Sequence, residues 1–336
     1  MRAHLIGTGA YLPENVLTNA DFERMVDTSD EWIMTRTGIR ERHIAAPGQA
    51  TSDMALIAAQ RALAMADRQP SDIDMILVGT VTPDEPFPSA AALVQTKLGI
   101  KRCAVLDVAA GCTSFMYALA LTDALIRAGS MKTVLVIGAE ILSRITDYTD
   151  RSTCILFGDG AGACVFEAGD DSAGILSTYL SGDGSLANLL HMPGGGSLHP
   201  STIETLAAHE HYIHMAGHDT FKHAVRCMEE AVEEAVQRAG LTDADIDFLV
   251  PHQANLRIIH ATAKRLGLSM DRVMVTIERT GNTSSASVPM ALDEGLRLGR
   301  IAPGHTVEMV AFGAGLTWGS AVVRLDANFP PAARLA

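Results

Sequence analysis

The sequence predicts an α/β protein built from two related halves. Of its 336 residues, 48% are apolar, 19% are charged and 29 are glycine, a composition that favours close-packed, turn-rich α/β architecture over disorder or a coiled coil. Short apolar runs alternate with segments of helical spacing, as in sheets that helices cover on both faces. The third observation is an internal repeat along the chain.

The repeat has an offset of 173 residues at two pairs of positions. Asp72, just before the apolar run MILVG, aligns with Asp245, just before the apolar run FLV. Thr133 begins the run TVLVIG and Thr306 begins the run TVEMVA. Continuous apolar runs of this length, flanked by turn signals, are typical of buried strands.

A third pair of strings lies between these landmarks in both halves. GCTS at 111–114 and GNTS at 281–284 are 170 residues apart, and each follows a β-rich run and precedes an apolar, helix-like stretch. We therefore predict an N-terminal half over 1–172 and a C-terminal half over 173–336. Chance similarity between common α/β segments is the alternative.

The other elements follow from apolar spacing and turn residues. The sequence predicts helices over 55–67, 113–129, 228–239 and 255–267, and strands over 75–79, 103–110, 133–138, 164–169, 248–250 and 306–311. The segment 168–214, rich in Gly, Ser and His, is expected to be a long surface excursion.

Composition and charge exclude several classes of protein. With 26 Lys and Arg against 39 Asp and Glu, the net charge is −13, whereas nucleic-acid binders carry a basic footprint. No apolar run reaches the ~18 residues of a membrane span, and the N-terminus lacks the pattern of a secretory signal. Five cysteines without a CxxC pair predict a reduced, cytoplasmic protein without a structural zinc site.

Cys112 is the first candidate for chemistry. It lies between the predicted strand 103–110 and the predicted helix 113–129, where free N–H groups and the helix dipole favour a thiolate. That placement suits a nucleophile that attacks an acyl carbon, such as that of a thioester. A buried apolar cysteine is the alternative.

His252 and Asn282 are the next candidates. His252 follows a buried strand directly, where open α/β sheets place groups that face ligands. Asn282 occupies the position that matches Cys112 in the other half, and its amide can donate to an oxyanion or enolate. A packed histidine and a helix N-cap are the corresponding alternatives.

Other suggestive strings carry less chemistry. GDGAGA at 158–163 lacks GxGxxG spacing and runs into a strand, so dinucleotide binding is not expected. FGAGLTWG at 312–319 is typical of a tight turn between strands. Seven of the 12 histidines fall within 191–223, which we interpret as a solvated stretch rather than a metal site.

Three strings together resemble a known family. AAGCTSF, VPHQANLRI and RTGNTSSAS, in that order, resemble the Cys, His and Asn motifs of β-ketoacyl-acyl-carrier-protein synthase III, and DEWIMTRTGIRER, FGDGAGA and AFGAGLTWGS extend the likeness over nearly the whole chain. The family condenses an acyl-CoA primer with malonyl-acyl carrier protein. Its fold is thiolase-like: a five-layered α/β/α/β/α stack with two pseudo-equivalent halves.

The resemblance implies a role for each matching residue. Cys112 would accept the acyl group, and His252 and Asn282 would stabilise the enolate, while backbone N–H groups of Cys112 and Ala314 would form the oxyanion hole. The implied coenzyme A contacts are Thr28, Trp32, Arg36, Arg151 and Asn255. Phe87, from the partner subunit of a homodimer, would close the acyl pocket and favour a short primer such as acetyl-CoA. The implied carrier-protein contacts are Lys222, Arg257, Lys264 and Arg265.

The resemblance implies no cofactor beyond the coenzyme A thioester substrate, and neither a membrane nor a nucleic acid as partner. This chain departs from the family at Thr113, Ser114, Ala314 and His218, which leaves the acyl-chain preference open. A synthase or acyltransferase of specialised metabolism with the same fold is the nearest rival. A hydrolase that uses Cys, His and Asn, or a binding module without catalytic activity, would also contain these residue types.

Overall fold

The computed structural model describes residues 1–329, and residues 330–336, the end of the predicted C-terminal half, lie outside the described residues. The strands are β1 (Arg2–Tyr11), β2 (Asn15–Thr18), β3 (Glu41–Ile44), β4 (Met75–Gly79), β5 (Ala104–Val108), β6 (Thr133–Glu140), β7 (Gly160–Gly169), β8 (Gly174–Gly182), β9 (Leu190–His191), β10 (His214–Met215), β11 (Phe248–Pro251), β12 (Thr306–Gly313) and β13 (Thr317–Arg324). The helices are α1 (Asn19–Phe22), α2 (Asp30–Thr37), α3 (Thr51–Ala66), α4 (Ala90–Lys97), α5 (Ser114–Arg127), α6 (Ile203–Ala207), α7 (Gly217–Arg238), α8 (Leu256–Arg265), α9 (Ile277–Thr280) and α10 (Ser287–Arg297).

Two sheets of matching topology organise these elements. One has the strand order β1-β7-β6-β4-β5 and the other has the order β8-β13-β12-β11. β4 pairs in parallel with β6 in the first sheet, and its counterpart β11 pairs in parallel with β12 in the second. Towards the opposite edge of each sheet the pairing is antiparallel, β7 with β1 and β13 with β8, while β5, which has no counterpart, pairs in parallel with β4. Each strand of the smaller sheet therefore has a counterpart at the same place in the larger one.

The two sheets enclose a shared helical layer. The largest core cluster joins α5 and α10 to one face of each sheet, through residues such as Phe115, Leu292, Phe166 and Met309. A second cluster packs α7 and α8 on the outer face of the smaller sheet, and a third packs α3 and α4 on the outer face of the larger sheet. The result is the expected five-layered α/β/α/β/α stack.

The predicted repeat coincides with equivalent elements. Strands β6 and β12 begin 173 residues apart and have eight residues each, and helices α5 and α10 also begin 173 residues apart. Both helices lie in the central layer, so the two helix starts meet near the middle of the molecule. The division of the chain between residues 172 and 173 stays a prediction.

One expectation about the fold is wrong. The segment 168–214 is not a single surface excursion, because 174–182 forms β8 within the smaller sheet. Its glycine and serine content disguised a strand whose Ile175 side chain is fully buried. The excursion is confined to the chain after β8, where the short ribbon of β9 and β10 pairs His191 with His214.

Candidate active site

Two tight turns press together at the start of α5. A Cβ atom on Gly111 would lie 2.7 Å from the backbone nitrogen of Ala314, and one on Gly313 would lie 2.5 Å from the backbone nitrogen of Cys112. Only glycine at these two positions lets the β12–β13 turn approach the turn that carries Cys112. Thr317 binds the turns together, since its hydroxyl donates to the carbonyl of Ala110 at 2.9 Å.

The three predicted catalytic side chains meet in one cavity. Cys112, His252 and Asn282 line a cavity of about 480 Å³ together with Phe312. They come from three separate turns: one before α5, one after β11 and one after α9. The mouth of the same cavity is lined by further predicted residues, namely Trp32, Arg36, Lys222, Asn255 and Arg257, and by His218.

The state of Cys112 differs from the sequence expectation. Burial raises the pKa of the Cys112 thiol to about 12, against a smaller lowering by a hydrogen bond with Ser284 and a further rise from the nearby Glu140 carboxyl. The expected lowering of the thiol pKa at the helix start is therefore wrong for this structure. The helix start lies inside the central layer, where loss of solvation outweighs the helix dipole.

Burial also favours the uncharged form of His252. Its side chain is buried, and burial lowers the pKa of His252 to about 3. Its Nδ1 atom lies 2.6 Å from Oγ of Ser287. With Nδ1 engaged by Ser287, Nε2 is the ring nitrogen left for a ligand in the cavity.

The carboxamide of Asn282 is held in one orientation. Its Oδ1 atom accepts a hydrogen bond from the backbone nitrogen of Ser284 at 2.8 Å, as an Asx turn does. The helix N-cap interpretation of Asn282 is wrong, since the N-cap residue of α10 is Ala286. Because the oxygen is used in this way, the amide nitrogen remains as the donor that lines the cavity.

A second, smaller cavity lies on the other side of Cys112. It has a volume of about 210 Å³, and Cys112, Ser284 and Ala314 form part of its wall. The rest of the wall is mostly apolar and consists of Val81, Gly111, Leu142, Ile145, Phe157, Leu190, His191, Met192 and Ile213. Ala314 is not among the described non-glycine residues with positive φ, which are Asp67, His209 and Ser284, so alanine is compatible with that turn.

Two arginine side chains lie over the ring of Trp32, which lines the cavity mouth from α2. The Arg151 guanidinium lies 4.4 Å from the ring centroid of Trp32, and that of Arg36 lies 5.8 Å from it. The Thr28 hydroxyl is buried and has no hydrogen-bond partner. Asn255 is already engaged, since its amide donates to the Arg36 carbonyl at 2.9 Å and its oxygen caps α8.

The predicted basic residues fall into two groups. Lys222 and Arg257 line the cavity mouth, and Lys264 is exposed on α8. Arg265 instead forms ion pairs with Glu233 at 3.2 Å and Asp243 at 3.1 Å. Its charge is therefore partly neutralised within the chain.

Phe87 does not join the site within one chain. Its side chain is 83% exposed, and it lines neither of the two cavities beside Cys112. Phe87 therefore lies on the surface of the chain, away from the cavities beside Cys112.

Three neighbours of the catalytic side chains were missed by the sequence reasoning: Glu140, Ser284 and Ser287. The two serines stand in the string TGNTSSAS beside Asn282, and Glu140 ends β6. The only signal was their sequence position, since the carboxyl end of a central strand and the residues after a catalytic motif both face the site.

Within residues 1–329, no group of three or more His, Cys, Asp or Glu side chains is placed to hold a metal ion. Nor does the described part of the chain include a helix with the length and apolar character needed to cross a bilayer.

Comparison with known proteins points in one direction. The family model for 3-oxoacyl-[acyl-carrier-protein (ACP)] synthase III matches residues 106–184. The family model for the C-terminal part of the same enzyme matches residues 236–325. A β-ketoacyl-[acyl-carrier-protein] synthase III of Caldanaerobacter subterraneus subsp. tengcongensis is 53% identical over 96% of this chain and 97% of its own. The crystal structure of a 3-oxoacyl-[acyl-carrier-protein] synthase III from Aquifex aeolicus VF5 is 46% identical and superposes with a TM-score of 0.89, covering 96% of this chain and 99% of that one. A priming β-ketosynthase from the R1128 polyketide pathway has a TM-score of 0.90 at 35% identity, with 97% of each chain covered.

The five-layered stack and the likeness to these structures define a condensing enzyme of the thiolase fold, an acyltransferase. The identity over nearly the full length of curated relatives narrows the class further. The chain belongs to the β-ketoacyl-[acyl-carrier-protein] synthase III family.

Proposed function

We propose that this protein joins a short acyl group from acyl-CoA to malonyl-acyl carrier protein, with loss of CO₂, through an acyl-Cys112 intermediate. The observation that carries the proposal is the meeting of Cys112, His252 and Asn282 in one cavity. A buried thiol, a neutral imidazole and an oriented carboxamide are the groups that acyl transfer and enolate stabilisation require. We propose no cofactor beyond the coenzyme A thioester that serves as substrate, since these three groups suffice.

The first half of the cycle is acyl transfer to Cys112. The thiol gives up its proton, and the sulfur attacks the thioester carbonyl and releases coenzyme A. Backbone N–H groups of Cys112 and Ala314 would hold the oxyanion formed in this step. The packing of their two turns, through Gly111 and Gly313, supports that assignment because it fixes both groups beside the sulfur.

The second half is decarboxylation and carbon–carbon bond formation. As malonyl thioester loses CO₂, negative charge develops on its thioester oxygen. Nε2 of His252 and the amide of Asn282 would donate to that oxygen, and a neutral imidazole is the form that can donate without taking a charge. The enolate carbon then attacks the acyl group on Cys112.

The substrate contacts at the cavity mouth are part of the proposal. We assign coenzyme A to Thr28, Trp32, Arg36, Arg151 and Asn255. The guanidinium groups of Arg151 and Arg36 over the Trp32 ring support this assignment. We assign docking of the acidic carrier protein to Lys222, Arg257 and Lys264, with Arg265 as a weaker contributor because of its ion pairs.

A homodimer would complete the acyl pocket. β5 is an edge strand of its sheet, and Leu106 on it is 44% exposed, so a second copy could pair along this edge. Phe87 is 83% exposed on the segment before α4, and α4 packs against β5. From there Phe87 would enter the acyl pocket of the second copy and limit the primer to a short chain such as acetyl.

Primary fatty-acid synthesis is favoured over specialised metabolism. The curated β-ketoacyl-[acyl-carrier-protein] synthase III relative is 53% identical, against 35% for the R1128 priming β-ketosynthase. The five cysteines are all unpaired, which supports a reducing compartment such as the cytoplasm.

Intact-protein mass spectrometry tests the proposal directly. Acetyl-CoA alone should add one acetyl group per chain, mapped by peptide digestion to Cys112, and malonyl-acyl carrier protein should then remove it with release of CO₂. Continuous turnover of acetyl-CoA without the carrier would indicate a hydrolase instead. Loss of the acetyl group to an alcohol without CO₂ release would indicate a simple acyltransferase.

A further inference from the structure

A buried carboxyl lies behind the nucleophile. Glu140, at the carboxyl end of β6, is fully buried, and burial raises its pKa. It accepts hydrogen bonds from the Thr82 hydroxyl at 2.6 Å and the Val81 backbone nitrogen at 3.1 Å. No cation pairs with it among the ion pairs of the described residues. A buried carboxyl that is held by neutral donors can change its protonation state, whereas an ion-paired one is locked as the anion.

Ser284 connects this carboxyl to the nucleophile. Its hydroxyl donates to Oε1 of Glu140 at 3.0 Å, and Ser284 and Cys112 line the same small cavity of about 210 Å³. The backbone of Ser284 has a φ of +50°, a left-handed conformation that non-glycine residues adopt rarely. Its backbone N–H donates to Asn282 from that conformation, so Ser284 is held in the cavity wall that it shares with Cys112.

We propose that Ser284 and Glu140 carry the proton of the Cys112 thiol during acylation; this rests on the acyl-Cys112 chemistry proposed above. The thiol proton moves to Oγ of Ser284 as the Ser284 proton moves to Oε1 of Glu140. The sulfur then attacks the thioester carbonyl carbon, and the bond from that carbon to the coenzyme A sulfur breaks. Coenzyme A leaves as a thiolate and takes back one proton along the same path, so Glu140 ends as a carboxylate.

Charge balance supports this path over one through His252. If the thiolate formed beside an ionised Glu140, two anions would share one buried site, and the charge of Glu140 does raise the pKa of the thiol. When Glu140 receives the proton, only one anion is present throughout. His252 has its Nδ1 engaged by Ser287 and must keep its Nε2 proton for the enolate, so the two proton functions fall to separate groups.

The experiment separates acylation from decarboxylation in two variants and a matched control. Glu140→Gln removes the proton acceptor. Ser284→Gly removes the hydroxyl that links Cys112 to Glu140, and glycine is chosen because it adopts the positive φ of this position without strain. Thr122→Val is the control, since it removes a buried threonine hydroxyl that donates to the Ala118 carbonyl within α5 at 2.8 Å and leaves every hydrogen bond of Glu140 and Ser284 intact. Rapid-quench mass spectrometry gives the rate of acetylation by acetyl-CoA between pH 7 and 9. Enzyme acetylated beforehand by long incubation and chased with malonyl-acyl carrier protein gives the rate of CO₂ release.

The expected result is specific to the first step. At pH 7, acetylation of Glu140→Gln and Ser284→Gly should slow by about 10²-fold or more, the size typical of lost general base catalysis, and should rise about tenfold per pH unit as hydroxide replaces the base. CO₂ release from the pre-acetylated enzymes should stay within about threefold of wild type, and Thr122→Val should resemble wild type in both steps.

Two results would overturn the relay. One is acetylation of Glu140→Gln at the wild-type rate. The other is an equal loss of both steps in both variants with no rise of the acetylation rate with pH, which would mark a structural role. Failure of the wild-type enzyme to become acetylated would instead refute the proposed function itself.

Discussion

Nδ1 of His252 and Oγ of Ser287 lie 2.6 Å apart at the buried start of α10. Ser287 stands five residues after Asn282 in sequence, so one short stretch of chain positions both proposed enolate donors. If the Ser287 hydroxyl donates to Nδ1, the ring proton must reside on Nε2, which is the nitrogen left for the cavity. The pair thus sets the tautomer that decarboxylation requires.

We expect Ser287→Ala to slow decarboxylation without slowing acetylation. Without the hydroxyl, part of the His252 population carries its proton on Nδ1 and cannot donate to the enolate, which should reduce CO₂ release by up to about 10²-fold. Nitrogen NMR of labelled histidine should show the change of tautomer. Ser177→Ala, which also removes a buried serine hydroxyl, is the control and should alter neither signal nor rate. Full CO₂ release by Ser287→Ala would contradict the role given to this pair.

The sequence predicted the three side chains that meet in the cavity, but it did not predict the buried residues that contact them. Cys112, His252 and Asn282 stand in recognisable strings, and each follows or precedes an element whose apolar spacing is strong. Glu140 is 144 residues from Ser284, and it becomes a neighbour only because β6 and the turn before α10 meet between the two sheets. No local pattern encodes such a contact.

The prediction that the pKa of the Cys112 thiol is lowered was wrong for a related physical reason. Position at a helix start is local and can be predicted from sequence, whereas burial depends on what covers the helix start. Here the central layer, with both sheets around it, removes the solvent from Cys112. Tertiary contacts also explain why β8 was not predicted: its polar and glycine-rich residues form a strand because β13 pairs with it.

Trp32→Ala should weaken the use of acyl-CoA through loss of adenine stacking. Arg151 lies 4.4 Å from the Trp32 ring, and loss of such a cation–π platform is worth about 0.5–2 kcal/mol, or roughly a 2- to 30-fold rise in KM. Steady-state kinetics with acetyl-CoA measures this rise. Acetyl-pantetheine lacks the adenine and should show an unchanged KM, and Trp32→Phe should retain most of the affinity. An equal loss for both substrates would refute an adenine site at Trp32.

The basic residues of α8 should separate into docking and structural roles. Lys264 is exposed, whereas Arg265 bridges Glu233 and Asp243. Lys264→Glu should raise the KM for malonyl-acyl carrier protein by about 3- to 10-fold at low salt, less at high salt, with no change in acetylation by acetyl-CoA. Arg265→Glu should chiefly lower the melting temperature, because it places a third acid beside two others.

The matched control for these charge reversals is Lys101→Glu, an exposed lysine on the loop before β5. It imposes the same change in net charge and should affect neither KM nor melting temperature. A rise in KM for the carrier protein in Lys101→Glu equal to that in Lys264→Glu would mean that net charge alone, and not the α8 face, guides docking.

Glu308→Met should stabilise the protein, and more so as the pH rises. Glu308 is fully buried within β12, burial raises its pKa well above the usual range, and its Oε2 atom has no hydrogen-bond partner. Since the folded-state pKa is raised, the folded and unfolded states are equally protonated at low pH. Above the unfolded pKa of about 4.3 only the unfolded state ionises freely, so wild-type stability falls with rising pH. Ser320, which hydrogen-bonds to Glu308, also donates to the Met309 carbonyl at 2.7 Å, so methionine leaves no new unpartnered group.

Thermal unfolding at pH 5 and pH 8 measures the effect of Glu308→Met. The melting temperature should rise by roughly 2–4 °C, about the effect of 1 kcal/mol in a large domain, with the larger rise at pH 8. Glu14→Gln, at an exposed glutamate, should show no gain at either pH. A lower melting temperature for Glu308→Met at both values would mean that the carboxyl makes a stabilising interaction that outweighs the cost of its burial.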